Sequence, residues 1–463
     1  MAPDATGRDW CSEFKVDCEK GHRPAVILFA AAHPNGMQSA LPTALHPVAD
    51  MPLINHNIEA ALKVNPKQII IVADAQHMEA IRQVVLQAFP DAPCVFSSLE
   101  DDEEAESGGS NGSIPRQSRQ RRKAHRLLER DVADVIELHC HCLFRESIIH
   151  YRDKGLSYPC VTRGSISGQD KKPDRNETYG GPLLWATAAY WREVVAVDMT
   201  GSDRGPFHYE DSKDIYWIHD RVSLASAERE VRASLIKQQQ LAGVTFRDEA
   251  GTFLSASVKI GRDTVLGVGV QIYGTTTVGR CVSIEGPTVI RNCTIGDNVR
   301  IGAFSHLEQV SLASNSGVGP FARLRAGASI DSGAYVGNFC ELKGAHVGQG
   351  GNVCHLSYLG DADVGDRANI GAGTITCNYN GVAKYRTSIA ADAFIGSNST
   401  LVAPVTVGQG SLIAAGSVIT SDVPAHALAI GRSRQTTKAQ RAEATREKLR
   451  VQHEQKQSMA QKQ

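Results

Sequence analysis

From Val258 to Ile419 aliphatic residues return every six positions. They stand at Ile260, Leu266, Ile272, Val278, Ile284 and Ile290, slip by one, and continue at Ile295, Ile301 and Leu307. Leu312, Val318, Leu324, Ile330, Val336 and Leu342 follow, then Val347 and Val353. Val364, Ile370, Ile395, Leu401, Val407, Ile413 and Ile419 resume the count. Many of these residues precede a glycine, as in Ile260-Gly261, Val336-Gly337 and Ile370-Gly371. A helix would space its apolar residues by three and four, and a half-buried strand by two. A spacing of six instead sets one inward aliphatic on each flat face of a coil, and three faces close a triangular turn. The pattern therefore predicts a parallel β-helix of roughly nine coils, each packed only on its neighbours.

The count fails at 354–363 and 371–394, and polar residues concentrate there. Residues 353–385 hold His355, Tyr358, Asn369, Asn378, Tyr379 and Lys384. Loops ejected from a solenoid line its binding face, so the active site is expected in this stretch.

Ahead of the repeat the period changes. AVILFAAA (25–32) and QIIIVAD (68–74) read as buried strands, and LINHNIEAAL (53–62) and AQHMEAIRQVVLQAF (75–89) as helices. VADVIELHCHCLF (132–144) and REVVAVDM (192–199) are further strands, and 223–243 a helix leaving the domain. Strands alternating with helices at this interval argue for βαβ units and a Rossmann-like α/β domain over 24–240. Such a domain takes a nucleotide in the loop after its first strand, where glycines let phosphate approach the backbone. That loop is AAAHPNGMQS, with the single Gly36 and a proline that has no N–H to donate. Residues 98–126 run from an acidic block through a Gly/Ser tract to a basic block, a composition that predicts a disordered insert. Residues 1–23 read as a loose terminus and 433–463 as a charged, Gln-rich tail suited to a solvated helix.

Composition narrows the class. At 463 residues, with 42% hydrophobic and 21% charged residues, the chain suits two globular domains. A formal net charge of −1 supplies no field to draw nucleic acid or an anionic membrane. No run of 18 apolar residues offers a membrane span. The first residues lack the apolar core of a signal peptide. Eleven cysteines without a regular framework suggest free thiols in a reducing compartment, and the expectation is a cytoplasmic protein. Cys11, Cys18 and His22 fit no standard metal spacing. In the run His139-Cys140-His141-Cys142, strand alternation puts no more than two side chains on one face, so no metal site is expected.

The broken coils carry a resemblance. GPFARLRAG (319–327), HLSYLGDA (355–362), IGAGTITCNYNG (370–381) and LVAPVTVG (401–408) resemble the C-terminal half of a bacterial bifunctional family. That family joins glucosamine-1-phosphate N-acetyltransferase to N-acetylglucosamine-1-phosphate uridyltransferase on the route to UDP-N-acetylglucosamine. The likeness is close over about 240–432 and faint over 24–240. It implies a left-handed β-helix domain over 241–432 that moves an acetyl group from acetyl-CoA to the amine of glucosamine 1-phosphate. The amine must lose a proton to attack, and an imidazole titrating at roughly 6.5 suits that task.

By resemblance His355 is the base. Arg325 and Lys343 match phosphate and sugar contacts, and Arg suits bidentate binding of phosphate oxygens. Tyr358, Asn369 and Lys384 match residues that hold the sugar and its phosphate. Asn378 and Tyr379 match those that orient the amine and support the tetrahedral intermediate. Ser397 and Ala415 match acetyl-CoA contacts, and Arg432 a basic residue near that molecule's phosphates. The family is trimeric, which implies a homotrimer here. Ala326 replaces the usual Pro and Asn380 the usual Asp, and neither removes a named role.

The N-terminal half departs further. The family's L-A-A-G-x-G-T-R-M and P-K-V-L signatures correspond to Phe29–Met37 and Pro42-Thr43-Ala44-Leu45. Both phosphate-loop glycines are lost, and the catalytic Arg and Lys positions hold Gly36 and Thr43. The two metal-ligand positions fall on His141 and His219, and the uracil-recognition segment on the insert. Nucleotidyl transfer needs Mg²⁺ and cationic clamps on the phosphates. The expected function is therefore acetyl transfer with uridyl transfer lost, and Mg²⁺ needed only if that second activity survives. The rival readings are a fully bifunctional enzyme and a non-catalytic binding or assembly protein.

Overall fold

A computed structural model of the chain describes residues 23–30, 37–99, 123–124, 126–129, 132, 134–139, 142–144, 183–187, 215–218 and 220–460. The strand expected over 192–199, most of the insert at 98–126, Cys11, Cys18, His22, residues 33–36, His141 and His219 lie outside the described residues.

The α/β part is built on β1 (Ala25–Phe29), every side chain of which is buried. Its partners are β2 (Gln68–Asp74) on one side and β4 (Asp134–His139) on the other, both parallel. β3 (Cys94–Leu99) extends the sheet beyond β2, and β5 (Leu183–Thr187) closes it antiparallel to β4. A continuous run such as Ile69–Val72 is what a strand covered on both faces requires. On one face Ile54 and Ile58 of α1 (Leu53–Leu62), with Ile81 and Val85 of α2 (Ala75–Ala88), pack on Val26, Leu28, Ile69 and Ile71. The other face joins Ile27, Phe29, Ile70 and Val72 to Ala124 and Val132. The order β3-β2-β1-β4-β5 fits a Rossmann-like domain. Helix α3 (Arg221–Leu241) begins two residues ahead of its sequence expectation. Asp220 caps it, accepting from Ser223 N at 2.7 Å, while Ser223 Oγ accepts from Asp220 N at 3.0 Å.

The repeat folds as a left-handed parallel β-solenoid of about ten coils, its strands forming three parallel sheets of eleven, ten and nine. The first face runs from Thr245–Phe246 to Leu428–Ala429, the second from Phe253–Leu254 to Val418–Ile419, the third from Lys259–Ile260 to Val405–Val407. The prism opens one coil ahead of the repeat read from Val258. In that coil Phe246 and Leu254 stand eight residues apart, so the six-residue count misses it. By compactness the chain divides at Arg280, with 289–292 in the first unit. Every inward aliphatic counted in the sequence is buried except the partly covered Ile260.

The structure corrects one reading of the interruptions. Residues 354–363 are not ejected: Leu359 fills the inward position, fully buried. After Ile370 the next inward residue is Thr376, which periodicity of aliphatics cannot register. Its hydroxyl accepts from Gly360 N at 2.8 Å and donates to Gly360 O at 3.1 Å, so the polar group is satisfied inside the core. The ejected loop is confined to the stretch between Cys377 and Thr387. Past the prism, α4 (Arg441–Ala460) is a helix whose described side chains are exposed, as the tail's composition predicts.

Six described cysteines, at 94, 281, 293, 340, 354 and 377, are free thiols, and burial pushes Cys94 up to about 12. No described helix is long and apolar enough to cross a membrane.

Two measurements test this architecture. Leu342→Ala should lower unfolding free energy by about 2–5 kcal/mol in a denaturant titration, since it empties a fully buried site between coils. On the third face Arg386 grips Asp363 through two nitrogens, and that contact holds the Asp363 carboxyl below its ordinary value. A depressed carboxyl stabilises the fold above about pH 4 and loses that contribution as pH falls through its folded value. Asp363→Asn should therefore melt below the wild type at pH 6, by no more than about 1 kcal/mol for so exposed a pair, and the gap should narrow as pH falls below the ordinary carboxylate range.

Candidate active site

The turn joining the first face to the second has one form in successive coils. A narrow position comes first, then an outward position, then a residue with positive φ, then a small residue that closes the turn. In the coil of Gly302 these are Gly302, Ala303, Phe304 (φ 60) and Ser305, whose hydroxyl donates to Gly302 O at 2.8 Å. Thr374, Ser399 and Ser417 repeat that closing bond.

The first position is narrow for a steric reason. A Cβ on Gly337 would lie 2.0 Å from the Cys354 carbonyl oxygen, and one on Gly371 2.6 Å from Ser397 N. Gly302, Gly319, Gly337, Gly371, Gly396 and Ala414 occupy it. Only Cys354 among these coils puts a larger side chain there, directly before His355.

The second position forms a column along this edge: Ala303, Pro320, Asn338, His355, Ala372, Ser397 and Ala415. His355 ends the strand Asn352–His355, and its register partner one coil earlier is Asn338. Asn338 Oδ1 stands 2.8 Å from His355 Nδ1, and the imidazole is exposed. On the other side the column shrinks to Ala372, Ser397 and Ala415, and the next coil places Arg432 Cδ 3.7 Å from where a Cβ of Gly416 would be. Coils stack at roughly 4.8 Å, so this run from His355 to Arg432 covers roughly 19 Å.

The third position changes character at the same place. Before His355 it holds Phe304, Phe321 and Phe339, 56%, 45% and 55% exposed, with ring centroids 4.8 Å and then 5.2 Å apart. Leu356 follows, and beyond it come Gly373, Asn398 and Gly416. The edge is therefore an apolar ridge on one side of His355 and a track of small residues on the other.

The cations lie on the next edge, between the second and third faces. Arg325 and Lys343 are register partners at the ends of their strands. Arg325 Nη1 donates to Glu341 Oε1 at 2.9 Å. Lys384 stands beside Lys343 and, with Arg325, pushes the Lys343 ammonium below its ordinary value, while the Asp361 carboxylate acts in the opposite sense. Asp361 also accepts from Asn378 Nδ2 at 2.6 Å. Tyr358 belongs to this group, because a Cβ built on Gly360 would meet its hydroxyl at 2.6 Å and Asn378 Nδ2 at 2.7 Å. Tyr379 and Lys384 bridge the ejected hairpin, and the Tyr379 hydroxyl donates to Gly381 O at 2.6 Å. The outcome is a cluster of like charges beside Gly360, an arrangement that an anion would relieve.

One chain thus brings Arg325, Lys343, Tyr358, Asn378, Tyr379 and Lys384 together on one edge, and His355, Ser397, Ala415 and Arg432 along another. Asn369 stands apart, at the start of its first-face strand. A face about five residues wide separates the two edges by roughly 16 Å. Asn338 and Asp361 were missed in the sequence. Each lies seventeen residues before the partner it bonds, which is one coil, so the coil length subtracted from His355 or Asn378 would have found both.

Among the described residues, no group of three or more His, Cys, Asp and Glu is placed to hold a metal.

Comparison with known proteins extends over both halves. The family described as Bacterial transferase hexapeptide (six repeats) matches residues 386–421. The protein named Bifunctional protein GlmU from Stutzerimonas stutzeri is 33% identical over 89% of this chain and 96% of its own. Its namesake from Jannaschia sp. is 33% identical over 92% and 96%, and that from Azotobacter vinelandii 35% identical over 89% and 96%. The solved Francisella novicida UDP-N-acetylglucosamine acyltransferase overlaps 40% of this chain and 67% of its own at 17% identity, with a TM-score of 0.28.

The crowded cations predict a proton signature. A dianion placed among Arg325, Lys343 and Lys384 should restore the Lys343 ammonium toward its ordinary value, so binding in mildly alkaline buffer takes up protons. Titration calorimetry with inorganic phosphate in buffers of different ionisation enthalpy should read a net proton uptake that grows as the buffer is made more alkaline. Lys384→Met should abolish it.

Proposed function

The chain belongs to the bifunctional GlmU family, and from that premise we propose that it is an acetyl-CoA-dependent N-acetyltransferase acting on glucosamine 1-phosphate. The observation that carries this reading is the change along one edge at His355, where a ridge of phenylalanines gives way to a track of small residues ending at Arg432. An extended acyl-CoA suits that track, with its thioester at His355, its arm along Ser397 and Ala415, and its phosphates toward Arg432. The cation cluster of Arg325, Lys343 and Lys384 suits a sugar phosphate, with Tyr358 and Asn369 on the sugar.

The chemistry follows from these placements. The imidazole of His355 removes a proton from the amine, whose nitrogen attacks the thioester carbonyl. Asn378, its Nδ2 engaged by Asp361, offers its amide oxygen to the amine, and Tyr379 flanks the tetrahedral intermediate. The C–S bond then breaks, the amide forms, and the thiolate of CoA receives the proton.

The base and the cations lie on different edges of one prism, so a neighbouring copy has to bring its edge to the first. The phenylalanine ridge beside His355 is an exposed apolar strip of the kind that association covers, and a homotrimer closes such contacts around one axis. A cytoplasmic setting suits free thiols and acetyl-CoA. Neither nucleic acid nor a membrane is among the partners.

Uridyl transfer is the activity this chain has given up: Gly36 and Thr43 occupy the family's catalytic Arg and Lys positions, His141 and His219 its metal-ligand positions, and both phosphate-loop glycines are replaced. Formation of UDP-N-acetylglucosamine from UTP and Mg²⁺ by the purified protein would instead establish the fully bifunctional reading.

Thiol release from acetyl-CoA in the presence of glucosamine 1-phosphate tests the main proposal. The wild type should release thiol, and His355→Ala should lower kcat by about 10²–10⁴. Silence from the wild type with every amino sugar phosphate tried would leave a binding or assembly protein.

A further inference from the structure

The column that contains His355 holds one polar neighbour aimed at it. Asn338 sits one coil earlier in the same turn position, and its Oδ1 meets His355 Nδ1 at 2.8 Å. An amide oxygen only accepts, so the ring nitrogen facing it carries the hydrogen. The neutral imidazole then has its lone pair on Nε2, which faces away from Asn338.

The Asn338 backbone is held in turn. Its carbonyl oxygen accepts from Leu356 N at 3.1 Å and lies 3.6 Å from Cys340 Sγ. The same thiol reaches Val353 O at 3.3 Å, two residues before His355. Asn338 and His355 are also register partners, an extension of pairing beyond the Val336–Val353 step. Neighbouring coils place Pro320 and Ala372 at this position, neither of which has a side chain able to orient a ring.

We propose that Asn338 is a positioning residue: it fixes the His355 tautomer and ring plane so that Nε2 is the atom that accepts the amine proton. This deepens the acetyltransferase reading and rests on it for the role of His355. The proton leaves the amine nitrogen for Nε2, Nδ1 keeps its own, and the imidazolium formed carries two hydrogens, one still donated to Asn338. Without Asn338 the ring divides its time between tautomers and orientations, and the reactive fraction falls.

The test uses two substitutions in the full-length protein. Asn338→Ala inserts a residue that the same column already tolerates at Ala303, Ala372 and Ala415. It should lower kcat about three- to tenfold, the worth of one hydrogen bond, with KM for both substrates unchanged. Asn338→Asp places a carboxylate on Nδ1, so the acid limb of the kcat profile should move up by roughly one pH unit. The Cε1 proton of His355, assigned with His355→Gln, should titrate higher by the same amount in this variant. That titration needs no turnover. An inactive wild type whose titration still moves in Asn338→Asp would sink the acetyltransferase reading and leave the hold on the ring intact. An unmoved titration, or a loss confined to KM in Asn338→Ala, would overturn the positioning role.

Discussion

Everything in the second half of this molecule depends on how closely one coil can lie on the next. A backbone that would put a Gly337 side chain 2.0 Å from a carbonyl in the following coil leaves no freedom in register. Each coil must therefore repeat the turn of the one before it, and the residue types at each turn position become columns along the edges. Chemistry in such a fold is addressed by column. His355 is within reach of Asn338 because both occupy the same position in consecutive turns, and Arg325 meets Lys343 for the same reason. Where the columns change composition together, as they do at His355, the surface changes from ridge to track without any change in the backbone.

Much of this was legible before any coordinates. The inward aliphatics announce the solenoid because one face of every coil must be apolar and nothing else imposes a period of six. The helices at 53–62 and 75–88 and the strand at 68–74 were equally plain from their periods and their boundaries. What the sequence concealed were exceptions within the regular pattern. Thr376 is an inward residue with a hydroxyl, satisfied by the Gly360 backbone, so a count of aliphatics took its coil for a loop. The first coil escapes that count because the connection between Phe246 and Leu254 is longer than in later coils.

The candidate site was legible in a different way. Its residues stood out as polar groups in a periodic run, but their division between two edges could not be read from spacing alone. That depends on which face each strand joins, a property of the whole stack. Asn338 illustrates the limit. In the sequence it is one Asn among many, seventeen residues from a histidine, and only the coil length makes that distance mean contact. The like-charge cluster is another collective property, because the depressed Lys343 needs Lys384 to arrive from an ejected hairpin.

The α/β domain meets the first coils through a small clasp. Asp50 Oδ2 accepts from Ser255 Oγ at 2.9 Å and Gly274 N at 3.1 Å, and Ala256 N donates to Ala49 O at 2.9 Å. The first coil of any solenoid ends in a row of backbone groups with no coil beyond them, and such a raw edge templates growth into fibres. Ala49 takes up one of those groups, the Ala256 amide. A domain placed against that edge helps keep a stack of parallel strands finite, and that is a structural reason for a chain to carry it apart from any chemistry of its own.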